Sequence, residues 1–172
     1  LTRFQREVTE YETFSRRRFF EQIVVGGMNA LEISETAKTM SIDVNAPYYN
    51  IVLFSLSSSR YDASAPEGYT DTLAAIQDKI RQFIACHPHI LLFRWNVTTQ
   101  AFLVKGEQED IAQRTDDCIE NIQRYCETTG SDVSWHIAQG TPVSRLGSIP
   151  ACFNEASRLL SYRYLCAEEH IL

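Results

Sequence analysis

Apolar residues alternate at spacings of three and four at the start of the chain, at Leu1, Phe4, Val8 and Tyr11, with charged residues between them. This is a short heptad seam on a helix expected over residues 1–25, shorter than the roughly three to four heptads that define a secure coiled coil. From Phe14 the pattern broadens to Phe19, Phe20, Ile23 and Val24. The second half of the helix is therefore expected to pack on the domain and the first half to reach toward a partner. Gly26-Gly27 ends the helix, because glycine adopts the left-handed conformation without a Cβ penalty. A short helix is expected over residues 29–40.

Residues 43–47 read as a turn and residues 48–56 as a nearly unbroken apolar run, the pattern of a central strand covered on both faces. Residues 57–68 are polar and read as a surface loop. Leu73, Ile76, Ile80, Phe83 and Ile84 line one face of a helix over residues 70–86, which Pro88 helps to end. Two strands, 90–95 and 100–104, flank a hairpin at 96–99. Ile111, Cys118, Ile119, Ile122 and Cys126 mark an amphipathic helix over 108–128, stopped by Gly130. Val133, Trp135 and Ile137 alternate with polar residues as in a half-buried strand. A turn at 140–142 leads to a last helix over 148–167, with Ser148 as its expected N-cap and Pro150 in its first turn. A final strand is expected to begin at Ile171.

Behind the leading helices the order is strand, helix, strand, strand, helix, strand, helix, which is the ferredoxin-like βαββαβ pattern with extensions. The fold class is thus α+β. An antiparallel-containing sheet carries helices on one face, and a long N-terminal helix precedes it. The right-handed crossover rule puts both crossover helices on one face and the strand of residues 48–56 near the centre.

Composition narrows the function. With 172 residues, 44% hydrophobic and 22% charged, the chain can bury a core without staples. A formal net charge of −6 argues against a grip on nucleic acid by this domain itself. Arg16-Arg17-Arg18 is the one basic cluster, and the acidic residues around it favour a solvated helix face over a phosphate or anionic-lipid contact. No apolar run reaches the roughly 18 residues of a membrane span, and the opening stretch does not resemble a signal peptide. Because Leu1 already reads as helix, the chain is expected to be a piece of a longer protein. Five cysteines without a C-x-x-C pair indicate reduced thiols and a cytoplasmic setting.

Candidate chemistry is sparse. The phosphate loop, dinucleotide turn, nucleophile elbow and zinc-protease motifs are all missing from the sequence. Cys86-His87-Pro88-His89 would need two further ligands to hold a metal and reads as a helix end whose His87 favours the negative dipole terminus. His136 and His170 read as structural. The acidic pairs, Asp116-Asp117, the 107–110 cluster and Glu168-Glu169, lie on predicted helix surfaces and not at strand ends where a two-metal site would want them. Catalytic residues, metal ligands and cofactors are therefore all expected to be none.

The element order and three local phrases resemble the degenerate GGDEF-like middle domain of AraC-type (YesN-like) two-component response regulators. The phrases are Arg18-Phe19-Phe20-Glu21-Gln22-Ile23-Val24-Val25-Gly26-Gly27, Tyr48-Tyr49-Asn50-Ile51-Val52-Leu53-Phe54 and Phe153-Asn154-Glu155-Ala156-Ser157-Arg158-Leu159-Leu160-Ser161-Tyr162-Arg163. The resemblance implies a nucleotide-cyclase-like sheet, with residues 1–25 as a coiled-coil-like leading helix and residues 26–172 as the degenerate domain. Active cyclases of the parent superfamily carry a metal-binding aspartate at the end of the first strand and Gly-Gly-Asp-Glu-Phe in the hairpin. This sequence has Ser55-Leu56-Ser57-Ser58 and Asn96-Val97-Thr98-Thr99-Gln100 there.

Two functions follow as expectations. The first is a non-catalytic domain that homodimerises through Leu1, Phe4, Val8 and Tyr11 and relays a receiver's state to a helix-turn-helix module, with neither module in this chain. The second is a catalytically dead domain that senses a nucleotide or small ligand at vestigial positions Ser55, Ser57, Arg94, Asn96 and Thr98.

Overall fold

A computed structural model of the chain describes residues 3–58, 66–129, 133–165 and 169–172. The elements run α1 (Arg3–Val24), α2 (Ala30–Thr39), β1 (Tyr48–Ser58), α3 (Pro66–Ala85), β2 (Ile90–Arg94), β3 (Thr99–Gly106), α4 (Ile111–Thr129), β4 (Val133–Gln139) and α5 (Ile149–Ser161). The four strands form one sheet in the order β2-β3-β1-β4, and every neighbouring pair is antiparallel. This is the ferredoxin-like arrangement, with β1 inside the sheet as its unbroken apolar run requires.

Strand alternation gives β1 two faces. Val52, Phe54 and Leu56 enter a core with Ile76, Ile80 and Phe83 of α3 and Cys118, Ile119 and Ile122 of α4. Ile51 and Leu53 enter the other core, with Phe19, Phe20, Ile23 and Val24 of α1 and Cys152, Phe153 and Ala156 of α5. The expected one-sided placement holds for the two crossover helices. α1, α2 and α5 cover the opposite face, because β1 is apolar on both sides and neither side can be left to water.

Local chemistry sets the element ends. Gly26 has φ +76°, and the amides of Gly26 and Gly27 close the end of α1 on the carbonyls of Ile23 (3.2 Å) and Gln22 (3.0 Å). Asn29 starts α2 through a capping box with Glu32. Ser41 ends α2 in the same left-handed manner at φ 56°, without glycine's freedom. Gly140 is required by close approach, since a Cβ there would lie 2.6 Å from the carbonyl oxygen and Sγ of Cys152.

Several boundaries differ from expectation. α3 starts at Pro66, as proline suits the first helical turn, and β1 extends to Ser58, so only residues 59–65 of the expected loop lie outside both elements and also outside the described residues. Ser148 stands at the N-cap of α5 but makes no side-chain cap bond. Its backbone is helical (φ −95°, ψ −3°), continuing a 3-10 turn, which denies the hydroxyl the usual reach. α5 stops at Ser161 and passes into a second 3-10 turn. Ile171 forms a single parallel bridge to Ile137 in place of a strand.

Both sheet edges are occupied. On the β4 side, the Ile137 amide donates to the His170 carbonyl (2.7 Å) and the Leu172 amide to the Ile137 carbonyl (2.9 Å). On the β2 side, Arg16 donates to the Leu92 carbonyl (3.1 Å) and Arg17 to the Trp95 carbonyl (2.9 Å). The Arg16 guanidinium also lies 5.0 Å from the centre of the Phe93 ring. The arginine run is thus not a solvated face: Arg16 and Arg17 are half-buried edge caps and only Arg18 is exposed.

Candidate functional site

The β2–β3 hairpin is built by one side chain. Asn96 Oδ1 accepts from the amides of Thr98 (3.0 Å) and Thr99 (2.8 Å), an Asx-type turn that aims Val97 and Thr98 outward. Trp95 closes the loop by donating its amide to the Thr99 carbonyl (2.9 Å). Beside this turn a cavity of about 260 Å³ opens toward α3. Arg94, Asn96 and Thr98 line it together with Gln77 and Arg81 of α3 and Gln100 of β3.

Three of the five vestigial positions therefore share one site. Ser55 and Ser57 do not join them. They follow Ile51 and Leu53 onto the other face of β1, where Ser55 is buried opposite Thr99 and His136. It is Leu56, between them, that lines the cavity. A sequence reading by strand end alone loses this parity.

Electrostatically the cavity is a donor-rich site. Arg81 is engaged with Asp78 of its own helix at 2.6 Å, and the Arg94 Nε lies 3.4 Å from the Asn96 carbonyl. Gln100 Oε1 is buried with no hydrogen-bond partner among the described residues. Among the described residues the lining offers amide and hydroxyl oxygens and no carboxylate. Mg²⁺ prefers carboxylate and phosphate oxygens in octahedral array, and the described lining residues supply neither. Gln77 and Arg81 escaped the sequence reading because helix α3 meets the hairpin only through the fold.

Two of the histidines are held by backbone carbonyls. His87 donates through Nδ1 to the Phe83 carbonyl (2.7 Å) at the end of α3 and packs tilted against the Phe83 ring, with 4.2 Å between centroids. His170 donates to the Trp135 carbonyl (2.8 Å) and stacks on the Trp135 indole at 4.0 Å. No group of three or more metal-ligating side chains occurs among the described residues. The acidic clusters at 107–110 and 116–117 are exposed, as is Glu169, while Glu168 lies outside the described residues. Burial raises the thiol pKa of Cys118 and of Cys126 to about 12 and that of Cys152 to about 11, so none is a nucleophile near neutrality. Cys166 lies outside the described residues.

The expected dimer seam falls only partly within the described residues. Tyr11 is 71% exposed. Leu1 and the side chains of Phe4 and Val8 lie outside what the structure describes. Among the described residues no helix is long and apolar enough to cross a membrane.

No curated protein sequence matches the chain. Among solved structures, the crystal structure of a DGC protein from Thermotoga maritima is similar over 72% of this chain and 82% of that one, with 14% sequence identity and a TM-score of 0.44. A family model described as GGDEF-like domain matches residues 26–162, well over half of the sequence, from the glycine pair that ends α1 to the residue after α5. The chain belongs to the GGDEF-like domain family.

Proposed function

We propose that this is a non-catalytic regulatory and dimerisation domain of an AraC-type two-component response regulator, controlling transcription through a DNA-binding module outside this chain. The divided character of α1 carries the reading. Its second half is locked to the sheet by Phe19, Phe20, Ile23 and Val24 and by the Arg16 and Arg17 bonds, while Tyr11 and Phe14 are 71% and 58% exposed. Such a helix transmits a push or twist from a receiver directly into the core. A second copy of the same helix would cover the seam of Leu1, Phe4, Val8 and Tyr11.

The hairpin and first-strand sequences support the absence of catalysis, since they hold amides, hydroxyls and Leu56 in the positions where the family resemblance calls for carboxylates and glycines. The domain works without a cofactor, in the cytoplasm, and with a net charge of −6 it leaves nucleic acid to the helix-turn-helix module.

Sedimentation of the full chain and of a form lacking residues 1–17 tests this reading. The full chain should dimerise and the shortened one should not. Two monomers at high concentration would remove the assembly role, and hydrolysis or cyclisation of a nucleoside triphosphate with Mg²⁺, lost on Arg94→Ala, would remove the non-catalytic one.

The unpartnered Gln100 Oε1 favours a second reading, in which the hairpin cavity senses a nucleotide or small ligand through Arg94, Asn96 and Thr98. A ligand bound only by the folded state raises the melting temperature. A nucleotide and metabolite panel that leaves it unchanged would dismiss this reading.

A further inference from the structure

At the other end of the sheet lies a second cavity, of about 330 Å³. It is about 24 Å along β1 from the hairpin, because Tyr48 pairs with Gly106 here and Ser55 with Thr99 there, at about 3.4 Å per residue. Lys105, Arg114 and His89 converge on it from β3, α4 and the residues before β2.

Lys105 is the informative member. It is 6% exposed, whereas lysine is almost never so buried without a paired charge. Its ammonium donates to the Asp43 carbonyl, and among the described residues no carboxylate forms an ion pair with it. An ammonium has three donors, so two remain for another acceptor. Burial lowers its pKa, with the Asp43 charge opposing. Arg114 is half-buried and uses one N–H on the Lys105 carbonyl (2.9 Å), which leaves most of its fork open. Burial also holds the His89 pKa below the ordinary histidine value, reinforced by Arg114, His87 and Lys105 and opposed by Asp117.

We infer that this cavity binds a small oxyanion, a phosphate or the phosphoryl group of a phosphorylated metabolite, with Lys105, Arg114 and His89 as its donors. Two fixed cations of different geometry and an imidazole match a group with several acceptor oxygens better than they match a single halide. Asp43 and Glu107 are exposed at the rim and oppose the anion, so the attraction comes from the interior pair. The site shares no residue with the hairpin cavity and stands apart from the dimerisation reading.

Thermal unfolding of the 172-residue chain at constant ionic strength tests it, with inorganic phosphate replacing chloride. At ten times its dissociation constant, phosphate should raise the midpoint by about 3–5 °C. Lys105→Met and Arg114→Gln should each weaken binding at least tenfold, and Glu107→Gln should tighten it. Lys105→Met removes a buried charge and is expected to fold, while Arg114→Gln changes only a half-buried side chain, so the pair separates binding from folding.

Glycerol 3-phosphate binding more tightly than inorganic phosphate assigns the site to a phosphorylated metabolite, and the reverse order assigns it to free phosphate. An unchanged midpoint in phosphate overturns the proposal, as does an equal shift in the wild type and both cation variants.

Discussion

The two faces of the sheet are closed by different means. The face of Val52, Phe54 and Leu56 is covered by α3 and α4, the crossovers that the βαββαβ chain order itself supplies. The face of Ile51 and Leu53 is covered by α1, α2 and α5, which are extensions to that unit. Phe20 is the centre of the second face, stacked on Phe93 at 4.8 Å and edge-on to Trp95 and Phe153 at 6.0 and 5.8 Å. A disturbance of α1 therefore enters one core first and reaches the other only through the strands. On the proposed relay reading, the face under α1 is the input face and the crossover face the stable one.

Each face carries its own reporter thiols. Cys118 and Cys126 lie in the crossover core and Cys152 in the extension core, all buried. Phe20→Ala should cost about 3–5 kcal/mol in urea unfolding and should expose Cys152 to alkylation, read by mass spectrometry, while Cys118 and Cys126 stay protected. Phe54→Ala should cost a similar amount with the opposite labelling. If either variant releases all three thiols together, the faces open as one and the comparison fails.

Alkali should weaken both faces. The folded pKa of these thiols is raised above the unfolded value, so the stabilisation is complete below the unfolded pKa of about 9 and is lost as pH climbs toward 11–12. Urea midpoints taken between pH 8 and 11 should fall steadily across that window. Replacing the three cysteines by alanine should flatten the decline.

Smaller changes sharpen the role of α1. Arg16→Ala and Arg17→Ala should each cost about 1 kcal/mol, the net worth of a part-buried bond to a strand carbonyl. Hydrogen exchange should speed in β2 and not in β4. Ser41→Gly, which relieves a left-handed residue at the end of α2, should stabilise by about 1 kcal/mol in the same urea assay.

Much of the architecture was legible in the chain. An unbroken apolar run marks β1, period-two alternation marks β4 and period-3.6 patterns mark α3, α4 and α5, because burial selects the same residues that these patterns display, and Gly26 announces the end of α1 through backbone chemistry that acts within a few residues. The hairpin turn was legible for the same reason, Asn96 bonding to its own neighbours.

The functional geometry was less so. Arg16 and Arg17 looked like solvent-facing charge because their partners, Leu92 and Trp95, are more than seventy positions away. Lys105 directly continues the apolar run of β3, a local hint of burial, but its meeting with Arg114 and the Asp43 carbonyl depends on where α4 and the turn before β1 come to rest.

The sequence by itself determined which segments become helices and strands, which residues are apolar enough to make two cores, and which oxygens are missing at the hairpin. Those are properties of residue type and short-range spacing. Only the tertiary structure decided that Ser55 and Ser57 turn away from the cavity lined by Arg94, Asn96 and Thr98, that α1 clasps the β2 edge, and that Lys105, Arg114 and the His89 imidazole meet at the far end of the sheet. Strand parity and packing across the sheet set those relations, and both arise from contacts between residues that the linear order keeps apart.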